Sequence, residues 1–107
     1  MNAGNLFANL PTDHSAETIE QLILTDNLVL ERITSRGQAT PPGQWYDQNR
    51  AEWVALLQGS AGLLIQGESE PRVLRPGDYL LIPAQARHRV EWTDSAEPTI
   101  WLALHYG

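Results

Sequence analysis

Residues that break strands and helices recur at short intervals along this chain, and they limit what it can fold into. They stand at 26–27, 41–43, 59–61, 67–71 and 75–78, and most of them are Gly, Pro, Asp, Asn or Ser. A proline or glycine at such a point interrupts regular structure, so the segments between the breaks are short. The spacing predicts many short strands.

Eight or nine strands are predicted between these breaks. They are expected at residues 18–24, 28–33, 52–58, 62–66, 73–74, 79–82, 88–92 and 99–105. In the second segment, Val29, Glu31 and Ile33 share one side of the two-residue alternation of a pleated strand. Residues 15–24 leave an alternative open, because Ser15 is a suitable N-cap for an amphipathic helix over this stretch.

The length of the chain limits the number of its domains, and its net charge disfavours certain classes of partner. A chain of 107 residues is long enough for one core, so a single domain over 1–107 is expected. The net charge of −6 disfavours nucleic acid and an anionic membrane surface. With no cysteine, there is no disulfide or thiolate chemistry, and the start of the chain lacks the pattern of a secretory signal. A cytoplasmic protein is expected.

Short antiparallel strands without long helices must protect their edges. A two-sheet jelly roll or a closed barrel does this, which predicts an all-β fold. A generic β-sandwich would satisfy the same requirement. The choice between these architectures therefore needs more specific residues.

Two spaced patterns supply those residues. Over residues 77–92, Gly77, Pro83 and His88 match three fixed positions of the second signature motif of the cupins, G-x5-P-x-G-x2-H-x3-N. Gln85 replaces the second Gly of that motif and Trp92 replaces its Asn. The segment resembles this motif, and the resemblance implies a single cupin jelly-roll barrel of two antiparallel sheets.

The first cupin motif, G-x5-H-x-H-x3,4-E-x6-G, is matched only at its end, over residues 44–59. Glu52 and Gly59 have the required spacing, but Trp45-Tyr46-Asp47-Gln48 stands where the two histidines belong. With a spacing of four residues before Glu52, Trp45 and Asp47 take the histidine positions. With three residues, Tyr46 and Gln48 take them. The first alignment is preferred because a carboxylate such as Asp47 can bind a metal.

The resemblance implies a site in which side chains from the two motifs point into the barrel from neighbouring strands. Asp47, Glu52 and His88 would then bind a divalent metal ion, and this ligand set favours Mn, Fe or Zn. Without a metal, Glu52 and His88 are the candidate catalytic acid and base, because burial between like charges would raise the pKa of Glu52. The structural alternative is that Glu52 forms an ion pair with an arginine and that His88 is a strand histidine hydrogen-bonded to a backbone carbonyl.

Aromatic and polar residues beside these positions are candidates for ligand binding, namely Trp45, Tyr46 and Gln48. The other tryptophans are expected in the core or in a subunit interface, and His105 could enter the barrel as an extra ligand. The predicted function is a small cupin that binds a metal and binds or transforms a small organic molecule. The alternative is a metal-free binding or sensor module. A homodimer is expected, because the chain has more large apolar residues than one small core needs.

Overall fold

Eight strands and no helix make up the regular structure, which a computed structural model describes for residues 1–107. The strands are β1 (Thr18–Leu24), β2 (Leu28–Ser35), β3 (Ala51–Gln58), β4 (Ala61–Ile65), β5 (Arg72–Leu74), β6 (Tyr79–Ile82), β7 (His88–Thr93) and β8 (Thr99–Tyr106). The all-β prediction is confirmed. A helix over residues 15–24 is wrong, because β1 pairs with β2 from Thr18 to Leu24 and its backbone groups are used in the sheet.

The strands form two antiparallel sheets that pack as a jelly roll. One sheet has the order β1-β2-β8-β3-β6, and the other has the order β5-β4-β7. The predicted fold class, a jelly-roll barrel of two antiparallel sheets, is confirmed. The structure has no helix of the length and apolar character that crossing a bilayer requires.

The core lies between the sheets and follows from the alternation of the strands. On β8, Trp101 and Ala103 are buried while Leu102 and Leu104 face the other side. Val54 and Leu56 on β3 pair with Ala103 and Trp101 and extend the same inner face. A one-residue slip of either strand would exchange the faces, so this pairing fixes which side chains enter the barrel.

The N-terminal segment is tied to the outer face of the five-stranded sheet by Arg32. Arg32 is 6% exposed, and its guanidinium donates hydrogen bonds to the carbonyl oxygens of Leu6, Ala8 and Asn9. It also forms an ion pair with Glu20 on β1. A single arginine therefore fixes both the segment and the edge strand.

Gly59, the last residue of the first motif, turns the chain from β3 to β4 in a space that has no room for a side chain. Its φ is +83°, and a Cβ built on it would lie 2.8 Å from Cα of Thr99. Gly67 has a similar φ of +97°, but nothing lies within 4 Å of a Cβ built there. Both glycines adopt a positive φ, but only at Gly59 would a side chain also clash with its surroundings.

We expect Gly59→Ala to lower the free energy of unfolding by about 2 kcal/mol more than Gly67→Ala does. Both substitutions place an L residue at positive φ, but only Gly59→Ala also pushes the new Cβ against the backbone of Thr99. Urea denaturation of the two variants measures the difference. Equal losses would mean that the approach of Thr99 does not constrain this turn.

Candidate functional site

One cavity lies between the two sheets and opens to solvent. Its volume is about 110 Å³, and 8 of the 14 residues that line it are hydrophobic. The polar residues that line it are Glu17, Glu31, Gln48, Glu52, His88 and His105. A mostly apolar cleft with a few convergent polar groups is the usual form of a small-molecule site.

Glu52 and His88, the two matched motif residues, meet in this cavity. Glu52 is 9% exposed and His88 is 5% exposed. Oε1 of Glu52 lies 3.4 Å from Nε2 of His88, longer than an ordinary charged hydrogen bond, so we treat the contact as electrostatic. The prediction that they lie on neighbouring strands is wrong. Glu52 is on β3 and His88 is on β7 of the other sheet, so they meet across the barrel.

The ring of His88 is oriented by the turn that precedes β7. Nδ1 lies 2.9 Å from the carbonyl oxygen of Ala86, and because a carbonyl only accepts, Nδ1 carries a hydrogen. Gln85, which stands where the motif has Gly, adopts a φ of +67° in this turn. Nε2 is therefore left facing Glu52, and it is the nitrogen that gains or loses a proton.

The pKa of His88 is raised by its surroundings. Burial alone lowers it, but the contact with Glu52, the hydrogen bond to Ala86 and the negative charge of Glu52 together outweigh burial. Tyr46 lies beside His88, with ring centroids 5.6 Å apart. Burial and the charges of Glu17 and Glu52 raise the pKa of Tyr46, against a hydrogen bond with Thr40, so its hydroxyl remains a donor.

A second histidine, His105, enters the cavity from β8. Its Nε2 lies 3.0 Å from Oε1 of Glu31 and 4.0 Å from Oε2 of Glu52, and its Nδ1 lies 3.1 Å from Oε1 of Gln48. Pairing of β2 and β3 with β8 places both carboxylates beside it. His105 therefore joins the two glutamates into one polar group on the floor of the cavity.

Glu17, an exposed residue just before β1, also lines the cavity. The indole N–H of Trp101 donates to Oγ of Ser35 over 3.2 Å, and the Ser35 hydroxyl lies 3.3 Å from Oε2 of Glu17. Although the outer side of Glu17 is exposed, the atoms packed around its carboxyl raise its pKa, and the Ser35 hydrogen bond opposes this. These two hydrogen bonds hold the Glu17 carboxylate in place.

The segment before β3 puts Tyr46 and Gln48 inside the cavity and leaves Trp45 and Asp47 outside. Tyr46 pairs with His88 as an isolated antiparallel bridge. Residues directly opposite each other in such a pair point to the same face, so Tyr46 follows His88 inward and its neighbours face outward. The three-residue spacing of the first motif is the one that the structure adopts.

Asp47 and Trp45 therefore do not take the places predicted for them. Asp47 is exposed and does not line the cavity, which corrects its prediction as a metal ligand. Trp45 packs instead against the guanidinium groups of Arg87 and Arg89, which lie 5.8 Å and 5.9 Å from its ring centre. Of the predicted ligand-binding residues, Tyr46 and Gln48 line the cavity.

The predicted metal site is not assembled in this arrangement. Of Asp47, Glu52 and His88, only the last two converge, and no group of three or more His, Asp or Glu side chains in residues 1–107 is arranged to hold a metal ion. Oxygen Oε1 of Glu52 is buried and has no hydrogen-bond partner. As they stand, the residues fit an acid–base pair better than a metal centre.

Residues 35–105 match the family model of the cupin domain. This is well over half of the chain, and it includes both the motif histidine and the motif glutamate. The chain is a cupin. No curated protein matches its sequence.

Solved structures resemble this cupin over nearly its whole length. A Ralstonia eutropha JMP134 protein, provisionally described as a mannose-6-phosphate isomerase, is 51% identical with a TM-score of 0.96, over 99% of this chain and 98% of that one. TT1209 from Thermus thermophilus is 18% identical with a TM-score of 0.81, over 99% and 97%. The polyketide cyclase RemF from Streptomyces resistomycificus is 21% identical with a TM-score of 0.72, over 84% and 64%. The last two share the fold.

Proposed function

We propose that this cupin binds a small organic molecule in the cavity and that Glu52 and His88 transfer a proton to or from it. The carboxylate of Glu52 carries this proposal, because the residue is 9% exposed, its buried oxygen Oε1 has no hydrogen-bond partner and it faces a histidine 3.4 Å away. A general base must reach its proton with an unoccupied acceptor.

Proton removal from a carbon next to a carbonyl group suits this arrangement. Nε2 of His88 carries a proton when the ring is charged, and it lies beside Glu52, so one residue can accept a proton while the other donates one. The names isomerase and cyclase, which two of the similar proteins bear, are compatible with such a step. Apolar walls exclude water that would otherwise compete for the proton.

Deuterium exchange tests the proton-transfer step without knowledge of the natural substrate. We expect the wild type to accelerate loss of the Cα–H signals of hydroxyacetone and cyclobutanone in D2O, followed by NMR. Glu52→Gln keeps the shape of the side chain but removes the base, so the acceleration should fall at least about 100-fold. An exchange rate no faster than buffer, or one unchanged in Glu52→Gln, would contradict the proposal.

A divalent ion between the same residues is the second candidate. It is favoured by the unpartnered Oε1 of Glu52 and by the bare Nε2 of neutral His88, since a metal ion would satisfy both atoms. Such an ion would supply Lewis-acid chemistry. The melting temperature distinguishes the two, because Mn, Fe or Zn must raise it and chelator must lower it if the ion binds the folded protein.

We infer also that the protein is a homodimer through the outer face of the five-stranded sheet. The strand registers place Leu81, Trp53, Leu104, Leu30 and Ile23 in one row across all five strands. Leu81 and Ile23, at its ends, are 52% and 48% exposed. The row carries no charge in a chain of net charge −6, so a second copy can pack on it without opposing like charges.

We expect Leu81→Glu to convert the dimer into a monomer, because it places two like charges in the apolar contact. Val73→Glu is the matched control, since Val73 is 45% exposed on β5 of the other sheet. Sedimentation at micromolar concentration should give a dimer for the wild type and for Val73→Glu. A monomeric wild type would disprove the interface.

A further inference from the structure

The polar lining of the cavity is negatively charged. Three carboxylates, from Glu17, Glu31 and Glu52, accompany two imidazoles, and no Lys or Arg lines the cavity. The lining therefore keeps a net negative charge even when both imidazoles are protonated. In a low-dielectric cleft such a charge acts strongly on a bound ligand.

Glu52 provides a separate indication of what the ligand must supply. Its side chain is 12% exposed and lines the cavity, and its buried oxygen Oε1 has no hydrogen-bond partner closer than Nε2 of His88 at 3.4 Å. A carboxylate removed from water without hydrogen-bond donors is costly, and donors on a ligand would remove that cost. The cavity thus presents an acceptor that has no partner in the protein.

The other two carboxylates are held in fixed positions around the same space. Glu31 is held by His105 at 3.0 Å, and Glu17 by the hydroxyl of Ser35 at 3.3 Å. The rings of Tyr46 and Trp101 line the cavity beside them. Carboxylates together with aromatic rings are the groups that bind organic cations, through charge and through the ring faces.

Arg50 lines a shallow depression next to the cavity, so its positive charge must be weighed against the negative charge of the cavity lining. That depression shares Glu31, Gln48 and His105 with the cavity. The guanidinium of Arg50 donates a hydrogen bond to the carbonyl oxygen of Asp26 over 2.9 Å, and Arg50 does not line the cavity. One arginine outside does not offset three carboxylates inside.

We propose that the cavity selects a small ligand bearing a protonated nitrogen, an ammonium or amidinium group, and rejects phosphate esters. The volume of about 110 Å³ is smaller than the roughly 150 Å³ cavity that holds benzene, so the enclosed part of the ligand is small. The phosphorylated sugar in the description of the Ralstonia protein does not suit this lining. This inference rests on the proposed small-molecule site but not on proton transfer.

Three probes of nearly equal shape test the charge preference: cyclopropanecarboxamidine, which is cationic, the neutral cyclopropanecarboxamide and the anionic cyclopropanecarboxylate. Each is titrated into the protein and followed by amide chemical shifts in NMR spectra. We expect the amidinium to bind at least about tenfold more tightly than the amide, and the carboxylate and mannose 6-phosphate not to bind in the cavity.

Two glutamate variants separate local charge from net charge. Glu31→Gln should weaken amidinium binding about tenfold and leave amide binding unchanged. Glu70→Gln removes the same charge from an exposed turn and should change neither. An unchanged spectrum outside the cavity confirms that each variant folds.

The outcomes that overturn the inference differ from those that overturn the proposed function. Tighter binding of the carboxylate or of mannose 6-phosphate would refute the charge preference and leave a small-molecule site. Equal weakening by Glu31→Gln and Glu70→Gln would also refute it, since the effect would come from net charge. If none of the probes binds, the cavity is not a ligand site, and the proposed function fails with the inference.

Discussion

Above the raised pKa of His88, substitution Glu52→Leu is expected to make the protein more stable while it abolishes binding in the cavity. Burying a carboxylate without hydrogen bonds costs free energy, which a leucine beside Val54 and Ile82 does not. Removing one member of a buried ion pair destabilises a protein while the partner stays charged, so the gain is confined to the pH range in which His88 is neutral. Urea unfolding at about pH 9 should therefore show a gain in stability. The affinity for the amidinium probe should fall at least about tenfold.

The pKa of His88 provides a check on the cause of this gain in stability. Without Glu52, burial lowers the pKa of His88 and only the Ala86 carbonyl raises it, so an NMR titration should show a lower pKa than in the wild type. Glu52→Gln keeps a polar group in place and should give a smaller gain than leucine. A loss of stability in Glu52→Leu at about pH 9 would show that a partner other than charged His88 stabilises the carboxylate.

The fold was predictable because its signals are local. Turn residues and a two-residue alternation identified all eight strands to within one or two residues, including β2, which runs to Ser35 rather than residue 33. The segment 15–24 was ambiguous because Ile19, Leu22 and Ile23 suit a helix as well as an edge strand. Pairing of Thr18–Leu24 with β2 decides it, and that contact is not visible in local periodicity.

Half of the candidate site depended on strand pairing that a single sequence does not reveal. Glu52 and His88 were identified because they keep the motif spacing. Asp47 was chosen over Gln48 on chemical grounds, whereas the orientation is set by the bridge between Tyr46 and His88. A shift of one residue exchanges the two faces of an extended segment, so ligand chemistry alone could not settle the alignment.

Glu17 and Glu31 were missed because they lie outside both motifs. Glu31 gave a weak signal, since it stands between Val29 and Ile33 on the inner side of β2, where a buried strand normally has an apolar residue. Its meaning appears only when β2 pairs with β8 and brings it to His105. His105 itself was considered as an extra ligand, and the alternation of β8 does place it in the cavity.

Removing His88 has the opposite expected effect from replacing Glu52, and that effect depends on pH. His88→Ala leaves the buried carboxylate of Glu52 without its counter-charge, and breaking a buried pair in this way costs about 3–5 kcal/mol. This cost applies while the wild-type histidine is charged. His88→Asn is the control, because its side-chain amide can still donate to the Ala86 carbonyl but cannot become charged.

The direction of the pH dependence follows from the raised pKa of His88. A group whose folded pKa exceeds its unfolded value of 6.5 stabilises the folded state fully below that value, and the contribution disappears as pH rises through the folded pKa. Glu52 and Tyr46 are the titratable groups that face the ring. The stability difference between wild type and either variant should thus be largest near about pH 5.5 and shrink by about pH 9, where neutral His88 retains only packing and one hydrogen bond. Urea unfolding of the three proteins across this range measures it, and a difference that grows with pH would mean that His88 is neutral in the folded protein and that Glu52 interacts with another group.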